Sequence, residues 1–172
     1  MASLMEDLIE VLEKENSEYE KLLALSMKKT PVIIGADLEQ LQKITDEEQE
    51  IVSRIHHLDR RREENMKEIA RVINKDVNEL TLGVLVDIFE RRPKEHRQLA
   101  EIHDKLKSTM QQMVRVNEQN RELIESSLEM VQFDMNVLQA MKTAPETANY
   151  TKEAYSSGDV MGNNAGGFDA KQ

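Results

Sequence analysis

The sequence predicts an all-α chain: an elongated antiparallel bundle of three long helices, with a short apolar helical linker and a flexible C-terminal tail. Three observations carry this. Charged residues make up 33% of the 172 residues and aromatics only 3%, with no tryptophan, so helix formers dominate and aromatic strand formers are scarce. Apolar residues recur at three- and four-residue spacing through three long windows, the period of one helix face. The helix breakers Pro31, Gly35, Pro93 and Pro145 stand between those windows or after the last of them. A chain that is 39% hydrophobic supplies a narrow core, of two- or three-helix cross-section.

The first helix is expected from about Ser3 to Lys29. Ser3 and Glu6 have capping-box spacing, in which the serine oxygen accepts an orphan amide and the glutamate reaches back. Leu4, Leu8, Val11 or Leu12, Tyr19, Leu22 and Ser26 follow at helical spacing, Lys28 and Lys29 suit the negative end of the helix dipole, and Thr30-Pro31 is the expected stop. Val32–Ala36 reads as a short apolar connection. Asp37 and Gln40 repeat the capping-box spacing and open a second helix. Its stripe runs through Leu38, Leu41, Ile44, Ile51, Ile55, Leu58, Met66 and Ile69, with polar breaks at Glu48 and Arg62. Asn74–Asn78 ends it.

Leu80–Phe89 is the densest apolar segment. Its composition also suits a strand, but no partner strand exists elsewhere, so short helical turns that plug the end of a helical hairpin are expected. Pro93 suits the first position of the next helix. That third long helix runs to about Met141 on Leu99, Ile102, Leu106, Met110, Met113, Val116 and Asn120. Beyond Asn120 its seam drifts round the helix, as a 3.6-residue repeat does against a strict heptad. From Lys142 the chain contains no leucine or isoleucine and holds four of the six glycines, a composition that buries too little apolar surface to offset its ordering entropy. The expected organisation is a helical domain over 1–143 and a flexible tail over 144–172.

Composition and motifs argue against several functions. A net charge of −10 disfavours nucleic acid and anionic membrane surfaces. No stretch approaches the ~20 apolar residues of a membrane span, and the acidic opening Met1–Asp7 has no basic region before an apolar run, so no signal peptide is expected. There is no cysteine, hence no disulfide and no thiolate site. His56, His57, His96 and His103 lack a Glu-x-x-His or His-x-x-x-His pairing, so solvated histidines are expected and no metal or cofactor. Arg60-Arg61-Arg62 is flanked by Asp59, Glu63 and Glu64 and reads as a salt-bridged face. No enzyme is expected. Five of the ten methionines fall between Met110 and Met141 on or beside the apolar stripe. They suit plain core packing, an adaptable groove for partner helices, or both if a partner completes the core.

The order of parts resembles the FlgN-type flagellar export chaperones over roughly Leu4 to Leu138. The resemblance lies in the acidic opening helix at Leu8-Ile9-Glu10, the Asp37-Leu38-Glu39-Gln40-Leu41 helix start and the Glu47-Glu48-Gln49-Glu50-Ile51 run. The Leu80-Thr81-Leu82 link and the Tyr155–Gly158 tail segment are similar too. It implies a cytoplasmic bacterial protein. Such a protein binds C-terminal helical segments of the hook-associated junction proteins, prevents their premature association and delivers them to the flagellar type III export apparatus. It also implies that client binding falls on the C-terminal part of the chain, here Leu123, Ile124, Leu128, Met130, Val131, Met135, Leu138 and Met141. The second helix is shorter than the third by about a dozen residues, which leaves this stretch short of an internal partner. A structural coiled-coil or tethering protein, or another secretion chaperone or adaptor, fits the same periodicity, and self-association as a homodimer stays open.

Overall fold

The structure, a computed structural model, describes residues 2–143. Four α-helices account for most of it: α1 (Ala2–Ile34), α2 (Leu38–Ile73), α3 (Leu82–Ile88) and α4 (Pro93–Thr143). Single 3-10 turns at Val77–Glu79 and Phe89–Arg91 bracket α3, and no strand occurs among the described residues. The chain divides into two compact units, Met1–Val131 and Gln132–Gln172. The expected tail over 144–172 lies outside the described residues.

The first unit holds the core. Cross-helix contacts fix the directions of its helices. Glu15, Glu18 and Lys29 of α1 meet Arg62, Arg54 and Glu48 of α2, so those two helices run antiparallel. Asn16 and Ser26 of α1 meet Thr109 and Asn120 of α4, so α1 and α4 run parallel. One apolar cluster joins Met5, Leu8 and Leu12 of α1 to Ile69 of α2, Leu85 of α3, Phe89, and Leu99 and Ile102 of α4. Each fully buried Leu or Ile side chain contributes roughly 1.5–3 kcal/mol. A second cluster joins Leu22 and Leu25 to Ile44, Ile51 and Ile55.

The apolar Leu80–Phe89 segment is helical, and Leu80, Leu85 and Phe89 are buried in the first cluster, as a plug against the ends of the long helices. Thr81 starts α3 by accepting a hydrogen bond from the Val84 amide (3.2 Å). Pro93 takes the first position of α4, where its missing N–H costs nothing.

The first helix departs from expectation at both ends. Ser3 lies inside α1, which already begins at Ala2, so it does not stand in the capping position. The helix also passes through Thr30-Pro31 to Ile34 rather than stopping at Lys29, and Val32–Ile34 is helix rather than connection. Proline costs a backbone hydrogen bond and crowds the preceding turn. Packing outweighs this: Ile33 is buried, Val32 packs on the second cluster, and the Thr30 hydroxyl donates to Asn120 Oδ1 (2.7 Å). The helix then closes in a Schellman turn, with the Asp37 amide on Val32 O (3.2 Å) and the Ala36 amide on Ile33 O (3.1 Å). Ala36 carries the left-handed backbone (φ 52°) that this turn requires, a position glycine usually fills. Asp37 caps α2 as expected, accepting from the Gln40 amide (3.0 Å). Asn74 ends α2 with the same φ of 52°.

A polar seam runs along α1. Thr109 donates to Asn16 Oδ1 (3.1 Å), and Asn120 Nδ2 donates to Ser26 O (2.8 Å). The polar breaks in the α2 stripe are ion-paired across to α1: Glu48 with Lys29, and Arg62 with Glu15. Glu15 is 1% exposed, and burial pushes its carboxyl up to about 7, against the pull of the Arg62 cation.

Candidate protein-interaction surface

α4 carries two apolar registers. The inner one is a strict three-four repeat of Leu99, Ile102, Leu106, Thr109, Met113, Val116, Asn120 and Leu123, all buried or half-buried. Thr109, not the expected Met110, occupies the inward position, and Met110 is exposed. Continued past Leu123, that register meets Ser127, Met130, Asp134, Val137 and Met141, all exposed. A second apolar register one position over, through Ile124, Leu128 and Val131, keeps the three-four spacing through Met135 and Leu138. One residue is about 100° round a helix. The apolar surface of α4 therefore widens past Leu123, and its side chains are exposed.

Within the first unit, Ile124, Leu128 and Val131 face the corner where α1 turns into α2. With Val32, Ile33, Leu38 and Leu41 they line an open cleft of about 280 Å³. Its two polar lining side chains are Ser127, whose Oγ donates to Leu123 O (2.8 Å), and Asp37, whose Oδ1 accepts from the Gln40 amide. The remaining surface is aliphatic. Met130 is exposed beside the cleft and Leu123 is half-buried on the inner register, so neither lines it. Val131 is 55% exposed.

In the second unit, the described residues are the last turns of α4. Met135 and Leu138 are each 59% exposed and Met141 is 71% exposed, with Phe133 and Val137 exposed as well. Phe133 and Val137 are absent from the sequence-derived site, although an aromatic in so aromatic-poor a chain was a signal for Phe133. The corner residues Val32, Ile33, Leu38 and Leu41 were also missed. Their spacing placed Leu38 and Leu41 in the α2 stripe, with nothing to show that α4 passes beside them.

Other candidate chemistry is plain. His56 and His57 are exposed, and His96 and His103 are half-buried, with His103 Nδ1 3.1 Å from Asp104 Oδ1. Among the described residues no group of three or more His, Asp or Glu could hold a metal ion. Arg62 bonds Asp59 (2.6 Å) and faces Glu15, while Arg60 and Arg61 are exposed.

Packed helices, with one long helix that leaves aliphatic and thioether side chains open, form an all-α protein with a candidate interaction surface. The model of the FlgN family, described as FlgN protein, matches residues 1–157, and the chain belongs to that family. This is a chaperone family rather than an enzyme family, and membership supports a flagellar export chaperone role. Comparisons with curated proteins and with solved structures give no significant match. No helix among the described residues is long and apolar enough to cross a membrane.

Proposed function

We propose that this protein is a cytoplasmic export chaperone that binds C-terminal helical segments of the hook-associated junction proteins. Binding keeps those segments from associating prematurely and delivers them to the flagellar type III export apparatus. Family membership supports the flagellar role. One observation carries the mechanism: the exposed aliphatic and methionine side chains of α4, among them Leu128, Met130, Val131, Met135, Leu138 and Met141.

The mode is helix-in-groove capture, in which the apolar face of an amphipathic client helix lies on an apolar face of the chaperone. Each Å² of apolar surface removed from water contributes about 25 cal/mol. Ordering a client segment that is unstructured beforehand costs a few kcal/mol of that gain. The net affinity is therefore reversible, as a carrier that must release its cargo requires. Methionine suits the task because its flexible thioether moulds to more than one partner. The net charge of −10 keeps the loaded complex dispersed.

The test is a titration of the purified chain with a purified hook-associated junction protein, full-length and lacking its C-terminal helical segment. The full-length protein binds and the truncated one binds at least tenfold more weakly. Equal binding by the two places recognition elsewhere on the client and overturns the proposed mode.

A further inference from the structure

The cleft at the α1–α2 corner has features that a bare helix face lacks. Its volume is about 280 Å³. Its lining is mostly aliphatic, and Ser127 Oγ is already bonded to Leu123 O, so the Asp37 carboxylate, with one bond from the Gln40 amide, is the polar side chain left to face it. Along the aliphatic walls water has few partners, and apolar side chains displace it at little cost. The Schellman turn at Ala36 brings the start of α2 to the cleft, and Leu38, the first residue of α2, lines it while 77% exposed.

The charges around it are predominantly acidic. Asp37 and Glu39 stand on the corner, and Glu125 and Glu129 each follow a cleft-lining residue of α4. The cations here are taken: Lys43 pairs with Glu39, and Arg121 lies against Glu118 and Glu125. Asp37 and Glu129 have no ion-pair partner among the described residues. From Ile124 to Val131 the α4 wall spans seven residue steps, about 10 Å at 1.5 Å per step, which matches two turns of a facing helix.

We infer that this cleft seats two turns of a partner's amphipathic helix, with aliphatic side chains at i, i+3 or i+4 and i+7 in the cleft and lysine or arginine along the helix edge against Asp37 and Glu129. The inference rests on the chaperone reading and adds to it an anchor made by the α1–α2 corner and a charge requirement on the client.

The probes are two fluorescein-labelled synthetic helical peptides that share one leucine pattern, the first flanked by lysine and the second by glutamate. Anisotropy titrations of the full chain follow each. The lysine peptide binds, the glutamate peptide binds at least tenfold more weakly, and the preference shrinks as salt rises from 0.05 to 0.5 M on the order of the Debye screening expected. Leu38→Gln with Leu41→Gln weakens the lysine peptide at least tenfold while every α4 side chain stays in place. If the pair lowers helicity, Leu38→Gln alone, at an exposed position, serves with an expected loss of at least threefold. Peptide binding unchanged in the corner variants, or no preference between the peptides, overturns the inference. The junction-protein titration then still decides the chaperone reading independently. Two further results also overturn it by naming another occupant. One is a homodimer that the corner variants dissociate. The other is a tenfold gain in peptide affinity on deleting residues 144–172.

Discussion

Glu15 Oε1 lies 3.5 Å from Arg62 Nε, buried between α1 and α2, and accepts no hydrogen bond. Arg62 meanwhile bonds Asp59 at 2.6 Å, so a single cation is shared between two carboxylates. Burial is the main cause of the upward shift of Glu15 to about 7, the Asp59 charge adds to it, and Arg62 opposes it. A carboxyl with a higher pKa folded than unfolded holds its proton more tightly in the native state. Its contribution is therefore full below about pH 4.5 and is lost as pH rises towards 7.

Glu15→Gln should remove that pH dependence. The neutral amide keeps the shape and needs no countercharge, so the variant is expected to be more stable than the parent at pH 8, by up to about 3 kcal/mol, and similar at pH 4.5. Urea unfolding at both pH values checks this. A destabilised variant at pH 8 would show that the Arg62 pairing outweighs the burial of the charge.

Asn120 holds α1 and α4 in register. It donates to Ser26 O and accepts from Thr30, both across the interface. Asn120→Ala removes both bonds, leaves the Thr30 hydroxyl without its acceptor and opens a small void, and a loss of about 1–3 kcal/mol is expected in chemical unfolding. Asn120→Asp should cost at least as much, since it buries a charge that faces a carbonyl oxygen.

Ala36 should be improvable. A left-handed alanine is strained by roughly 1–2 kcal/mol relative to a residue without a Cβ. Ala36→Gly is therefore expected to raise the melting temperature and to stabilise by about 1 kcal/mol, less the entropy glycine gains when unfolded. A loss of stability would mean that the alanine methyl packs usefully at the corner.

Much of this was legible in the residues themselves. The three-four stripes gave the α2 and α4 faces, Asp37 with Gln40 gave the start of α2, and Pro93 gave the start of α4. The long-range polar contacts were not legible. Glu48 and Arg62 look like breaks in a stripe until Lys29 and Glu15 are seen opposite them. Glu15 and Asn16 fall outside the α1 stripe yet are buried, because α1 is covered from two sides and so buries a wider arc than one stripe. Thr30-Pro31 reads as a stop because the local rule carries no information about the packing of Val32 and Ile33. On α4 the drift past Asn120 was visible, and it adds Ile124, Leu128 and Val131 to the exposed apolar surface. The corner half of the cleft, made by residues far away in sequence, was not.

The plug at Phe89 should matter to the whole first unit. Its side chain is buried in the cluster that also holds residues of α1, α2, α3 and α4. Phe89→Ala removes that filling and is expected to cost 3–5 kcal/mol, on the order of a large core truncation. Thermal unfolding followed by circular dichroism reads this directly, and a loss below about 1 kcal/mol would show that the linker packs loosely.

The most direct test of the central claim is the affinity of the triple variant Val131→Gln, Met135→Gln, Leu138→Gln for a purified hook-associated junction protein. Glutamine keeps helix propensity and removes the apolar face. All three side chains are exposed, so helical content and melting temperature should stay near those of the parent. Client affinity is predicted to fall at least tenfold, about 1.4 kcal/mol. A variant that stays folded and binds the junction protein as tightly as the parent would contradict the account and place the client on another surface.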